Sequence, residues 1–138
     1  MTDTINHPIY LSTRDHENLR VRLSAFTDPR SRRLTEKLRR EVERATVLPA
    51  ESVPPDVVQI GSKVSLLDLD TNEREEYTLT LPEHADASRG HLSVLAPLGT
   101  AIIGFAVKAE IAWEMPGGTR HLRIEQVTPP VIPAVPAQ

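Results

Sequence analysis

The sequence predicts an α+β fold: a short N-terminal antiparallel helical hairpin, then an antiparallel sheet of about five strands holding one short helix. Three observations predict it. Apolar residues recur every three or four positions between Leu19 and Ala45, as on one face of a helix. From Val57 to Val127 the period changes to two, the alternation of a half-buried strand. Within that region lies an apolar run, Leu98 to Ile103, too short and too apolar for a surface helix.

Taken in order, Ser12 followed by Asp15 reads as an N-cap with a carboxylate near the third helical position, where backbone N–H groups lack partners. The first helix carries Leu19, Leu23 and Phe26 on one stripe and breaks at Thr27-Asp28-Pro29. The segment RSRRLTEKLRREVERA follows, with Leu34, Leu38, Val42 and Ala45 on one stripe and Glu36–Arg40 in the favourable i,i+4 order. Each helix is expected to run about 14 residues, roughly 20 Å, so neither is stable without packing. Leu48-Pro49 is expected to end the second helix.

The proline-bearing segment 49–55 has no periodicity and reads as a linker between a 1–48 unit, with its strand-like lead, and a 56–128 body. In the body, VVQI, KVSLLDLD and REEYTLTLP read as strands, with Tyr77, Leu79 and Leu81 on one face and Asp70-Thr71-Asn72-Glu73 as the connecting turn. HLSVL is a further strand. Pro97 suits the first turn of a buried plug helix, and Gly104 lets the chain leave it. EIAWEM should point Ile111, Trp113 and Met115 inward, Met115-Pro116-Gly117-Gly118 should turn, and TRHLRIEQV should return with Leu122 and Ile124 inward. The tail 129–138, rich in proline, is expected to be disordered.

Composition removes several functions. Hydrophobic content of 39% and charged content of 25% suit a globular chain, and the absence of cysteine excludes disulfides, thiolate metal sites and a cysteine nucleophile. The opening MTDTINHPIYLS lacks a basic or apolar leader, and no window reaches the ~18 apolar residues of a membrane span, so a cytoplasmic protein with no membrane contact is expected. Residues 1–48 carry ten Lys/Arg against seven Asp/Glu, and residues 49–138 six against twelve. A basic front and an acidic back imply two surfaces with different partners.

The run KVSLLDLDTNEREEYTL, then LSVLAPLGTAIIGFAV, then AEIAWEMPGG resembles the C-terminal domain of the bacterial GreA/GreB transcript-cleavage factors, an FKBP-like fold. The short hairpin before it is similar to the related family of regulators of nucleoside diphosphate kinase. The resemblance implies docking on RNA polymerase at the rim of its secondary channel, through residues around the proline before the short helix: Leu95, Ala96, Pro97 and Leu98, with Gly117 and Gly118 of the Pro-Gly-Gly turn. In those factors a long coiled coil delivers two adjacent carboxylates that help hold a metal ion, and one carboxylate cannot both neutralise and position a divalent cation. Here the hairpin tip offers Asp28, explained as a helix cap, followed by Arg30, Arg32 and Arg33. A non-enzymatic binder without cofactor or metal is therefore expected, a monomer that competes with Gre-type factors. Its basic hairpin would make weak contact with RNA or DNA phosphates. The alternative is a regulator of nucleoside diphosphate kinase acting by protein–protein binding outside transcription.

Other motifs carry less. Asp68-x-Asp70-x-Asn72 imitates the start of a calcium loop, but Glu73 stands where glycine is needed and Leu79 where glutamate is. Gly99 and Gly104 have phosphate-loop spacing, with Phe105 in the lysine position. His7, His16, His84, His91 and His121 lack metal-ligand spacing. Only five aromatic residues are present, too few for the ring-lined pocket of a prolyl isomerase.

Overall fold

The computed structural model describes residues 8–115 and 117–130. The expected orientation of Met115, Pro116 of the turn, and the tail beyond residue 130 lie outside what it describes. The order is β1 (Tyr10–Ser12), α1 (Thr13–Ser24), α2 (Pro29–Leu34), α3 (Glu36–Arg44), β2 (Thr46–Leu48), β3 (Lys63–Asp68), β4 (Arg74–Thr80), β5 (His91–Ser93), α4 (Pro97–Ile102), β6 (Glu110–Met115) and β7 (Gly118–Thr128).

Local chemistry explains where α1 begins. The Ser12 hydroxyl accepts the Asp15 amide at 3.0 Å, satisfying one of the unpaired donors of the first turn. Asp15 is itself buried, and its carboxylate accepts the Ile60 amide at 3.1 Å, a bond that crosses from α1 to the body. Desolvation raises the Asp15 pKa above its ordinary value, more than the Ile60 hydrogen bond lowers it.

The second helical segment departs from expectation. It is divided into a six-residue α2 and a nine-residue α3. At the break, the Thr35 hydroxyl donates to the Ser31 carbonyl at 2.8 Å, the back-bonding that bends helices. The bend takes Leu34 out of the expected stripe: Leu34 is 75% exposed, while Thr35, Leu38 and Val42 are buried. The helix also ends earlier than Leu48. Residues 46–48 form β2, which pairs in parallel with β1, Tyr10 opposite Thr46. β1 and β2 each flank the helices, so a three-residue parallel pair closes the base of the helical segment.

The main sheet has the order β5-β4-β3-β7-β6. Its pairs are antiparallel except β4 with β5, which is parallel, with Leu79 opposite Leu92. An all-antiparallel sheet is thus corrected to a mixed one. Residues 81–90, with two short 3-10 turns, carry the chain back so that β5 starts from the same end as β4. The segment VVQI is not a strand either, and only Val57 makes an isolated bridge, to Ala106.

The β3–β4 turn is held as expected. The Asp68 carboxylate accepts the Asp70 and Thr71 amides at 2.9 and 3.1 Å, and Asn72 takes a positive φ of 65°. The Thr71 amide, then the Asp70 amide and Arg120, hold the Asp68 carboxyl below the usual carboxylate range, against an opposing desolvation.

One apolar cluster joins the two halves. Leu19, Leu23, Leu38 and Val42 of the helices pack in the same core as Val64, Leu66, Leu79, Ile111, Leu122 and Ile124 of the sheet and Leu98, Ala101 and Ile102 of α4. α4 is the plug between them, touching α3, β5 and β6. Burying a leucine or isoleucine side chain stabilises by about 1.5–3 kcal/mol, so the helices gain here the stability that their length denies them. Gly104, with φ of 84°, ends the plug where a Cβ would lie 2.9 Å from Ile9, and its carbonyl accepts the Tyr10 amide at 3.0 Å.

Candidate docking surface

The segment from Ser93 to Thr100 is a tight turn that leads from β5 into α4. The Ser93 hydroxyl accepts the Leu95 amide at 3.0 Å, and the Ser93 carbonyl accepts the Ala96 amide at 3.0 Å. Thr100 is buried; its amide donates to the Ala96 carbonyl at 2.8 Å and its hydroxyl to the Val94 carbonyl at 2.9 Å. The first turn of α4 lies so close to β5 that a Cβ on Gly99 would sit 2.1 Å from the Ser93 carbonyl oxygen. No side chain other than hydrogen fits there.

Of the residues singled out from sequence, the turn exposes Pro97 and leaves Leu95 and Ala96 half-buried, with Leu95 packed against the core. Leu98 is different. It is 4% exposed and belongs to the core, so it supports the turn from below and offers no surface. Gly117 and Gly118 are exposed at the β6–β7 turn, with open space around both and φ of 135° at Gly118. Among the described residues, no hydrogen bond or ion pair links this glycine turn to Leu95–Pro97.

At the opposite end of the helical segment, Asp28 caps α2. Its carboxylate accepts the Ser31 amide at 3.0 Å, and hydrogen bonding to Ser31 lowers its pKa. Arg30, Arg32 and Arg33 are exposed, and none of them forms an ion pair among the described residues. The next acid along the chain, Glu36, faces Arg40 at 3.4 Å. The tip therefore has a single carboxylate engaged as a cap and three uncommitted cations. Among the described residues, no group of three His, Asp or Glu side chains is placed to hold a metal ion.

Sequence reasoning missed a network on the inward face of the sheet. Arg120 donates to Asp68 at 3.0 Å and to Glu75 at 3.1 Å, and its guanidinium lies 5.5 Å from the centre of the Trp113 ring. Tyr77 donates to Glu75 at 3.0 Å; desolvation, then this hydrogen bond, raises the Tyr77 pKa. A signal was present: Arg120 alternates with Leu122 and Ile124, and a cation on an inward face requires partners. Also missed was the two-pronged pair of Arg22 with Glu83, at 2.9 and 2.5 Å, which ties the end of α1 to the segment before β5. The hydrogen bond from Arg22 lowers the Glu83 pKa.

The sequence model of the transcription elongation factor GreA/GreB C-terminal domain matches residues 53–129, more than half of the chain. The chain belongs to the GreA/GreB family. The matched part starts at Val53 and takes in β3 to β7 with α4; the three N-terminal helices precede it. Among curated members, the regulator of nucleoside diphosphate kinase of Escherichia coli strain K12 is 37% identical over 92 residues, 66% of this chain and 68% of that protein. GreA of Thermodesulfovibrio yellowstonii is 30% identical over 93 residues, 67% of this chain, and the chain spans 59% of that longer protein.

A solved GreA/GreB transcription elongation factor from Nitrosomonas europaea superposes with a TM-score of 0.73 at 35% identity, covering 88% of this chain and 98% of that one. Gfh1 of Thermus aquaticus shares the fold, with a TM-score of 0.51 at 19% identity, covering 88% and 99% of the two chains. The family model thus covers the sheet and its plug helix, and the superposition on the Nitrosomonas europaea factor covers 88% of the chain.

Proposed function

We propose that this GreA/GreB-family chain is a non-enzymatic transcription regulator that docks on RNA polymerase at the rim of the secondary channel and competes there with Gre-type factors. In this reading the body is an FKBP-like domain that makes contact through Leu95, Ala96 and Pro97, with the Gly117-Gly118 turn as a second point. The helices form a short antiparallel hairpin that stands over the channel mouth. Its uncommitted arginines make weak contact with RNA or DNA phosphates. The protein acts as a monomer in the cytoplasm and needs no cofactor.

The observation that carries the reading is the hairpin tip within a GreA/GreB-family chain. Placing a divalent ion for RNA hydrolysis takes more than one carboxylate, and here the single acid at the tip, Asp28, already caps α2 beside Arg30, Arg32 and Arg33. The test is a pull-down of core RNA polymerase at low salt, coupled to transcript cleavage in backtracked complexes. We expect binding, no acceleration of cleavage, and slower cleavage when GreA is present. Failure to bind, or cleavage stimulated by this chain alone, would overturn the reading.

The name of the Escherichia coli relative supports a second reading, protein–protein regulation of nucleoside diphosphate kinase outside transcription. Co-elution with that kinase in the absence of polymerase is the result that would favour it.

A further inference from the structure

We infer that Thr100 and Ser93 are positioning residues that hold the Leu95–Pro97 turn in its binding shape, making this contact pre-formed, uncharged and insensitive to salt. The inference rests on the docking reading above, and of the two residues Thr100 is too buried to touch a partner, whereas Ser93 is half-buried. Thr100 is 7% exposed, and its hydroxyl is spent on the Val94 carbonyl. Any effect of Thr100 on binding must therefore pass through the turn.

Three constraints converge on the same few atoms. Ser93 holds the Leu95 amide with its hydroxyl and the Ala96 amide with its carbonyl. That same carbonyl oxygen lies 2.1 Å from where a Cβ on Gly99 would be, so the start of α4 is pressed against the end of β5. Thr100 then clamps both sides, its amide on Ala96 and its hydroxyl on Val94. Leu95 packs against the core from within the turn, and Leu98 is held in it from just beyond. A turn with its backbone amides and carbonyls spent in this way has little conformational freedom left to lose on association, which is the cost that weakens flexible contacts.

The chemistry of the turn identifies what it fits. No Asp, Glu, Lys or Arg occurs between His91 and Lys108. Pro97, with Leu95 and Ala96 half-buried beside it, offers a small apolar knuckle. Its complement on the polymerase is an apolar recess without a salt bridge to the turn. The arginine tip has the opposite character, and contacts made by exposed cations weaken as salt screens them.

The experiment measures binding of the fluorescently labelled full chain to core RNA polymerase at about 50 and about 300 mM KCl, conditions that span strong and weak electrostatic attraction. Thr100→Val keeps the shape and removes the hydroxyl bond; we expect about tenfold weaker binding at both salts, and recovery to within about twofold in Thr100→Ser. Ser93→Ala should weaken binding about threefold, again at both salts, and serves if Thr100→Val proves unfolded by circular dichroism. The combined replacement of Arg30, Arg32 and Arg33 by alanine should instead weaken binding mainly at the lower salt. Folded Thr100→Val and Ser93→Ala chains that bind as wild type, while Leu95→Asp binds poorly, would overturn the positioning role and leave the docking reading standing. Wild-type binding by Leu95→Asp would remove the docking turn itself, and the inference with it.

Discussion

Two turns of this chain, Phe26 to Arg33 at the tip of the helices and Ser93 to Gly99 on the body, are built in opposite ways. The tip is ordered by one exposed cap, Asp28 on Ser31, and has no fully buried side chain in α2. The body turn has five buried residues in the six-residue α4 behind it and backbone bonds on both sides. The difference teaches that order in a short element comes from what it packs against, since both helices have six residues, a proline at N1 and little length of their own. It also separates two kinds of contact, a charged surface that adapts and an uncharged one that is fixed.

The largest expected effects lie in the body turn. Gly99→Ala should cost about 3 kcal/mol or more, since the added Cβ would meet the Ser93 backbone, which cannot move without breaking β5. Ile102→Ala should cost about 2–5 kcal/mol by opening a cavity in the core. Urea denaturation measures both, and a loss below about 1 kcal/mol for either would break the contrast with the tip.

Next comes the junction between the halves. Asp15→Ala removes the acceptor of the half-buried Ile60 amide and should cost about 1–3 kcal/mol at neutral pH. Asp15→Asn keeps an acceptor and should be at least as stable as wild type there. Burial raises the Asp15 pKa above its ordinary 3.8, so the folded chain holds this proton longer than the unfolded chain does. Its contribution is present below pH 3.8 and is lost as pH rises through the folded value. Asp68 has the opposite sign: its pKa is lowered, so its contribution is present above pH 3.8 and is lost as pH falls through the folded value. Urea denaturation from about pH 3 to about pH 7 should show Asp15→Asn more stable relative to wild type as pH rises, and Asp68→Asn less stable.

The smallest effects belong to the tip. Asp28→Ala should reduce the helical signal in circular dichroism slightly. Leu34→Ala, despite lying on the apolar repeat read from sequence, should change stability by less than about 0.5 kcal/mol, because Leu34 is 75% exposed. A loss of about 2 kcal/mol would restore Leu34 to the core and erase the comparison.

Features that depend on neighbours within a few residues are legible in the amino-acid sequence. The Ser12 and Asp28 caps, the Asp68 turn, the inward positions Leu122 and Ile124 and the buried plug at Leu98–Ile103 all follow from short-range rules of spacing and hydrogen bonding. At the candidate site, the family resemblance singles out Pro97, which is exposed, Leu95 and Ala96, which are half-buried, and Leu98, which is core as its place in the buried plug requires. Alternation says that a residue near a turn is apolar, but not which side of the turn is covered.

By itself the sequence determined the two periodicities, the caps and turns, the uncharged run after His91 and the single acid at an arginine-rich tip, because each is a property of residues adjacent in the chain. Tertiary structure alone decided the rest: the parallel pairing of β1 with β2 and of β4 with β5, the exposure of Leu34, and the long-range bonds of Asp15 to Ile60, Arg22 to Glu83 and Arg120 to Asp68. A three-residue strand carries no mark of its direction, and a carboxylate carries no mark of its partner. Both are fixed only when the shared core brings distant segments within hydrogen-bonding distance.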